Sequence, residues 1–226
     1  MGKKANPVAI RLGYNRDWQS HWFSRSRKEY AKNLLVDFEI RKLIFDSLKH
    51  AGVAKIEIFR DRGNILIEIY SSRPGVIIGR GGEGTKRILK MIQKITKEGK
   101  VDLAIKEINN PYEWAKLIVD QVAFRLEKRI PHRKVMHQII DETMANKKIS
   151  GVKIKVGGRL GGNEIARCEV LFSGTIPSAT FKKDIDFAFG EAFTKFGKIG
   201  IKVWLNKGDS KKYEIKLKKK NQGQVN

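Results

Sequence analysis

The stretch from Pro74 to Glu98, PGVIIGRGGEGTKRILKMIQKITKE, constrains this chain most. A turn signal, Pro74-Gly75, leads into the apolar run Val76-Ile77-Ile78, then Gly79-Arg80-Gly81-Gly82, then a helix. The helix is read from spacing. Ile88, Ile92 and Ile95, flanked by Leu89 and Met91, form one apolar stripe, while Lys86, Lys90 and Lys94 recur every four residues on another face. A G-x-x-G tetrapeptide that opens a helix lets backbone approach a ligand where a Cβ would clash. The unpaired N–H groups of the first helical turn favour an anion. Gly79, Arg80, Gly81, Gly82, Lys86 and Lys90 are therefore expected to contact the phosphates of a nucleic acid.

This arrangement resembles the KH module, whose GXXG loop clamps about four nucleotides of single-stranded nucleic acid. Gly79, Gly81 and Gly84 also spell the G-x-G-x-x-G of dinucleotide sites. That reading fits less well, because Pro74 and Gly75 separate the preceding strand from the first glycine, and a dinucleotide site has no use for the lysine row. A helix cap beside a solvated basic face is the plainer alternative.

The 226 residues leave room for one large or two modest domains. Lys and Arg number 47 against 24 for Asp and Glu, a net charge of +23. Such a charge repels itself unless a polyanion compensates it. Every successive segment is net positive, so the pattern suggests a protein embedded among phosphates on several sides. No run of 18 apolar residues could span a bilayer, and the N-terminus lacks a signal peptide's apolar core. A single cysteine, Cys168, excludes internal disulfides and fits a reducing compartment. Its alternation with Ala166 and Val170 predicts a small core residue.

Residues 1–36 carry Lys3, Lys4, Arg11, Arg16, Arg25, Arg27 and Lys28 among Tyr14, Trp18, Trp22 and Phe23, with little periodicity. They read as a basic arm that orders on a partner, its aromatics stacking on bases or packing on its own domain. Residues 37–51 read as a helix capped by Asp37, with Ile40, Leu43, Ile44 and Leu48 as its stripe and Gly52 beyond its end. Residues 53–60 and 65–70 alternate as strands around an Arg62-Gly63-Asn64 turn. Residues 101–107 form a third strand, with Val101, Leu103 and Ile105 inward. Helix, strand, strand, GXXG, helix, strand is the order of a type II KH domain, expected over residues 37–108.

Two helices are expected within 111–146, with stripes at Leu117, Ile118, Val122 and Leu126, then at Val135, Met136, Ile139, Ile140 and Met144. The junction from Arg125 to Lys134 holds five cations and one acid around Pro131. Arg129, Arg133 and Lys134 are expected to clamp phosphates from this rigid corner, the alternative being a solvated face. After residue 150 the period becomes two, in four sets: Val152, Ile154, Val156; Ala166, Cys168, Val170, Phe172; Ile185, Phe187, Phe189; and Ile199, Ile201, Val203, Leu205. The chain is thus expected to be α+β: an N-terminal arm, the KH domain, then a domain over 109–208 with two helices on a four-stranded, mostly antiparallel sheet. Arg159, in the loop Gly157-Gly158-Arg159-Leu160-Gly161-Gly162, is a further phosphate candidate. Residues 209–226 read as a basic tail, expected to be disordered.

Nothing in the residues supports catalysis, a cofactor, a metal site or a small-molecule substrate. His21, His50, His132 and His137 lie near no cysteine, and neither a Walker A nor a G-x-S-x-G string occurs. Asp184 and Asp186 share one side of a strand and read as a solvated or lysine-paired face, with a metal pair as the alternative. A stand-alone KH regulator of messenger would show a flexible linker, which the short Asn109-Asn110-Pro111 joint does not provide. A nucleic-acid-processing enzyme would turn over substrate with a metal ion.

Four runs converge on one family: GKKANPVAIRLG, VIIGRGG, GRLGGNEIARCEV and KDIDFAFGEAFTKFGKIGIKVWLNKGD. Together they closely resemble bacterial-type ribosomal protein three of the small subunit, over essentially residues 1 to 208. The resemblance implies a structural protein of the small-subunit head whose partners are ribosomal RNA, messenger RNA and neighbouring head proteins, with no membrane role. It implies a cytoplasmic location on the ribosome, an organellar ribosome being the alternative. It also implies that Arg133 and Lys134 line the messenger entrance. A third position there, usually lysine, is His137, and an imidazole holds phosphate less firmly than an ammonium. The segment from Ser173 to Phe181 keeps a glycine, a proline and Thr180 but thins the family's arginine-rich spelling.

Overall fold

The computed structural model describes residues 5–61, 64–96 and 100–209. Lys3, Lys4, most of the expected Arg62-Gly63-Asn64 turn and the tail beyond Asp209 lie outside these residues. The described elements begin with strand β1 (Ser20–His21), helix α1 (Arg27–Ser47), strands β2 (Val53–Asp61) and β3 (Asn64–Ser71) and the short helix α2 (Pro74–Ile78). Helix α3 (Glu83–Thr96) and strand β4 (Val101–Glu107) complete the first half. Helices α4 (Ala115–Glu127) and α5 (His132–Met144) and strands β5 (Gly151–Gly158), β6 (Arg167–Gly174), β7 (Lys183–Thr194) and β8 (Gly197–Asp209) form the second.

The first sheet has the order β1-β2-β3-β4, with β2 and β3 antiparallel and β3 and β4 parallel. Ile56 and Ile58 of β2 and Ile65, Ile67 and Ile69 of β3 are buried on one face, as their period of two requires. Ile40 and Ile44 of α1 and Ile88 and Ile92 of α3 cover them in one core. The opposite face is a polar lattice in which Lys106 pairs with Glu68 and Lys55 with Glu57. The expected KH order is therefore the observed one. Two details differ. The turn signal Pro74-Gly75 and the apolar run Val76-Ile77-Ile78 together form one short helix, with Pro74 at its first position, where no N–H is needed. Helix α1 begins at Arg27, ten residues before the expected start. Its first turns bury little: Leu34, Leu35 and Phe38 are exposed, so no core stripe marks them in sequence.

The second sheet has the order β6-β5-β8-β7 and is antiparallel throughout. Ile118, Val119 and Val122 of α4 and Val135, Met136 and Ile139 of α5 pack against Val152, Ile154, Val156, Ile201, Val203 and Leu205. Edge strand β6 faces the other way from expectation. Glu169 and Leu171 lie opposite the inward residues Val156 and Ile154, while Cys168 is exposed and Val170 and Phe172 are 42% and 70% exposed. Cys168 is thus not a core residue. The same outer face carries Phe187 and Trp204, with ring centroids 5.2 Å apart, and the half-exposed Phe189.

Residues 5–26 contact both halves of the chain. Arg11 is fully buried and donates to the carbonyls of Pro7 (2.8 Å), Lys183 (2.8 Å), Thr180 (2.8 Å) and Ser178 (3.0 Å). Arg16 bridges Asp184 at 3.0 Å and Asp186 at 2.9 Å, and Lys207 lies 3.8 Å from Asp186, so the expected lysine pairing is present at Asp186 and an arginine joins it to Asp184. Burial pushes the Asp186 carboxyl up, but Lys207, Arg16 and the Ala115 N–H outweigh it and hold it below the usual range. Further along, β1 adds to β2 in parallel. Ser20 and Trp22 donate to the buried carboxylate of Asp37, which also accepts from Arg60. Asp37 is therefore a mid-helix anchor for the arm, not a cap. Trp18 and Phe23 stay exposed.

Candidate nucleic-acid interface

The glycine loop is built from left-handed backbone. Gly79 (φ 68°), Gly81 (φ 58°) and Gly82 (φ 79°) turn the chain between α2 and α3 in four residues, conformations that cost an L side chain about 1–2 kcal/mol each. Gly84 has a different role. A Cβ there would sit 2.3 Å from the Ile77 carbonyl oxygen, so its absence lets the first turn of α3 rest on α2. Gly79, Arg80 and Gly81 are exposed, and no atom lies within 4 Å of where a Gly81 side chain would begin. Along α3, Lys86, Lys90 and Lys94 are exposed and line a surface pocket of 410 Å³ with Glu83, Arg87 and Met91. Among the described residues none of Lys86, Arg87, Lys90 or Lys94 pairs with a carboxylate. Arg87 belongs with this row; it escaped sequence reading because it falls outside the four-residue repeat.

The open space at Gly81 gives a test. Gly81→Asp in the full chain should lower affinity for a short single-stranded RNA about threefold to tenfold, since it places negative charge where a phosphate is expected. The left-handed φ should cost about 1 kcal/mol of stability. Unchanged affinity in a folded variant would make the loop a helix cap only.

The cationic corner is rigid for local reasons. Helix α4 ends as Arg129 takes a left-handed conformation (φ 61°), with its N–H on the Leu126 carbonyl and that of Ile130 on the Arg125 carbonyl. Pro131 then leads directly into α5. Arg125 is mostly covered and donates twice to Glu142 at 2.9 and 3.0 Å, so it turns away from the exposed cations of the corner. Lys128, Arg129 and Lys134 are exposed and without carboxylate partners among the described residues. Arg133 is 71% exposed, yet its Nε and Nη2 reach Glu169 at 3.0 and 3.3 Å. His137 lies one turn further along α5 and lines a pocket of 390 Å³ with Arg133, Glu169, Val170 and Leu171.

Arg159 is exposed, tied to its own loop by a 3.0 Å bond to the Asn163 carbonyl and stacked 5.8 Å over Phe196. It follows Gly158, which pairs with Arg167 across β5 and β6. Arg167 in turn lies 3.5 Å from Glu169, so the loop and the corner share one end of the second sheet. The expectation that Arg11 contacts RNA is corrected: its side chain is buried and its donors are spent on carbonyls of its own chain. Glu169 and Arg167 were missed in sequence because the alternation of Cys168 with its neighbours assigned the other face of β6 to the core.

Two family matches divide the chain where the fold does. Residues 39–113 match the KH domain family, and residues 122–205 match the C-terminal domain of ribosomal protein S3. The small ribosomal subunit protein uS3 of Clostridium novyi is 44% identical over 209 residues, covering 92% of this chain and 94% of the relative. The chain belongs to the uS3 family of ribosomal proteins. The uS3 of Clostridium perfringens is 43% identical over 219 residues, covering 96% of this chain and 98% of its own, and that of Caldicellulosiruptor saccharolyticus 42% over 209 residues. As a uS3-family member the chain falls in a ribosomal rather than an enzyme family, with a KH domain fitted to RNA.

Proposed function

We propose that the chain is a structural component of the small-subunit head. It holds ribosomal RNA through Gly79–Gly82 and the basic face of α3, and it lines the messenger entrance with Arg133 and Lys134. Arg129 and Arg159 supply further phosphate contacts, and neighbouring head proteins and the ribosome in the cytoplasm complete its setting. Lys3 and Lys4 are proposed to reach ribosomal RNA from the N-terminus. The observation that carries the entrance role is the corner itself: exposed cations fixed by Pro131 and a left-handed Arg129 at a helix junction. Such groups engage phosphates without reading bases, which suits a passage for any messenger. Any parting of structured messenger is then strand capture by cations, with motion supplied by the ribosome.

A tagged chain expressed in cells should sediment with small subunits and leave them only as salt rises. Recovery in light fractions at every salt concentration would overturn the assignment to the subunit.

A further inference from the structure

Helix α5 begins with His132, Arg133 and Lys134, and its first turn contains no acid. Cations there oppose the positive end of the helix dipole, where negative charge is favoured. The missing charge comes from a strand. Glu169 of β6 faces the helices opposite Val156, with its side chain only 19% exposed. One carboxylate oxygen lies 3.0 Å from both Arg133 Nε and His132 Nε2, and the other lies 3.3 Å from Arg133 Nη2 and 3.5 Å from Arg167 Nε. The hydrogen bond from Arg133, with the nearby His132 ring, holds the Glu169 carboxyl below its usual range although partial burial opposes it. Neighbouring Lys134 has no carboxylate partner among the described residues.

A two-oxygen anion gripped by an arginine fork at a helix N-terminus is what a phosphate would be in the same place. We infer that Glu169 is a positioning residue for messenger, an internal stand-in for phosphate. It keeps Arg133 extended toward the 390 Å³ pocket when no RNA is present, and gives it up to a passing phosphate. Because each phosphate must displace a carboxylate, the grip at this point is weakened and messenger can move on. Lys134 makes its contact without that competition. This rests on the entrance role proposed for Arg133 and Lys134.

The test is a double-mutant cycle on small subunits carrying the variant chain, read as dissociation of an unstructured RNA that extends through the entrance. Glu169→Gln keeps the shape and removes the charge. It should slow dissociation about threefold to tenfold and steepen the salt slope by up to about one unit. Glu169→Asp keeps the charge and should stay within about twofold of the parent. In an Arg133→Ala background the effect of Glu169→Gln should fall below about twofold. An equal effect in both backgrounds, or faster dissociation with Glu169→Gln, overturns the inference while leaving the entrance role intact. If Arg133→Ala itself changes nothing, the entrance role fails and the inference with it.

Discussion

Replacing Arg11 with methionine should remove about 3–5 kcal/mol of stability, a large part of what holds a domain together. The side chain is fully buried, and four backbone carbonyls, those of Pro7, Ser178, Thr180 and Lys183, take its donors. Methionine fills a similar volume but leaves those oxygens facing an apolar group, and each unpaired acceptor costs about 1 kcal/mol or more. Arg11→Lys should recover little, since an ammonium cannot span four acceptors with the geometry of a guanidinium. In urea the unfolding midpoint should drop by about 1–2 M. The loss should spread to the first domain, because the same arm continues into β1 and the Asp37 site. An unchanged midpoint would mean that the free chain does not keep its arm on the fold.

The arm also marks where sequence reading fails. Periodicity sees elements that bury one face, and it located the isoleucine strands, the α4 and α5 stripes and the KH order for that reason. Residues 5–26 have no period, because they are held by single side chains, Arg11, Arg16 and Trp22, reaching partners more than 160 residues away or on helix α1. A buried arginine and an RNA-binding arginine look alike until the acceptors around it are known. The first turns of α1 were missed for the opposite reason: they are helical but cover no core. Strand β6 shows a third limit. It lies at a sheet edge, where both faces hold apolar residues, so alternation does not say which face is inward. That ambiguity hid Glu169 and with it the carboxylate that meets Arg133. At the glycine loop, by contrast, most of the site was legible, because left-handed turns require glycine and the lysine repeat follows the helix.

The Arg133→Ala/Lys134→Ala pair should have the largest functional effect. Two phosphate contacts with single-stranded RNA are lost, so the salt slope of messenger binding should fall by about 1–1.5 units, uniformly across sequences. Folding should change little, because Lys134 has no ion-pair partner among the described residues and Arg133 is mostly exposed. The most direct measurement is the rate of translation through a stable hairpin by ribosomes carrying the pair, compared with an unstructured messenger of the same length. If these cations capture the incoming strand as it opens, the hairpin messenger slows several-fold more than the unstructured one. Equal slowing of both messengers, or of neither, would place the corner on ribosomal RNA or in solvent and contradict the entrance role.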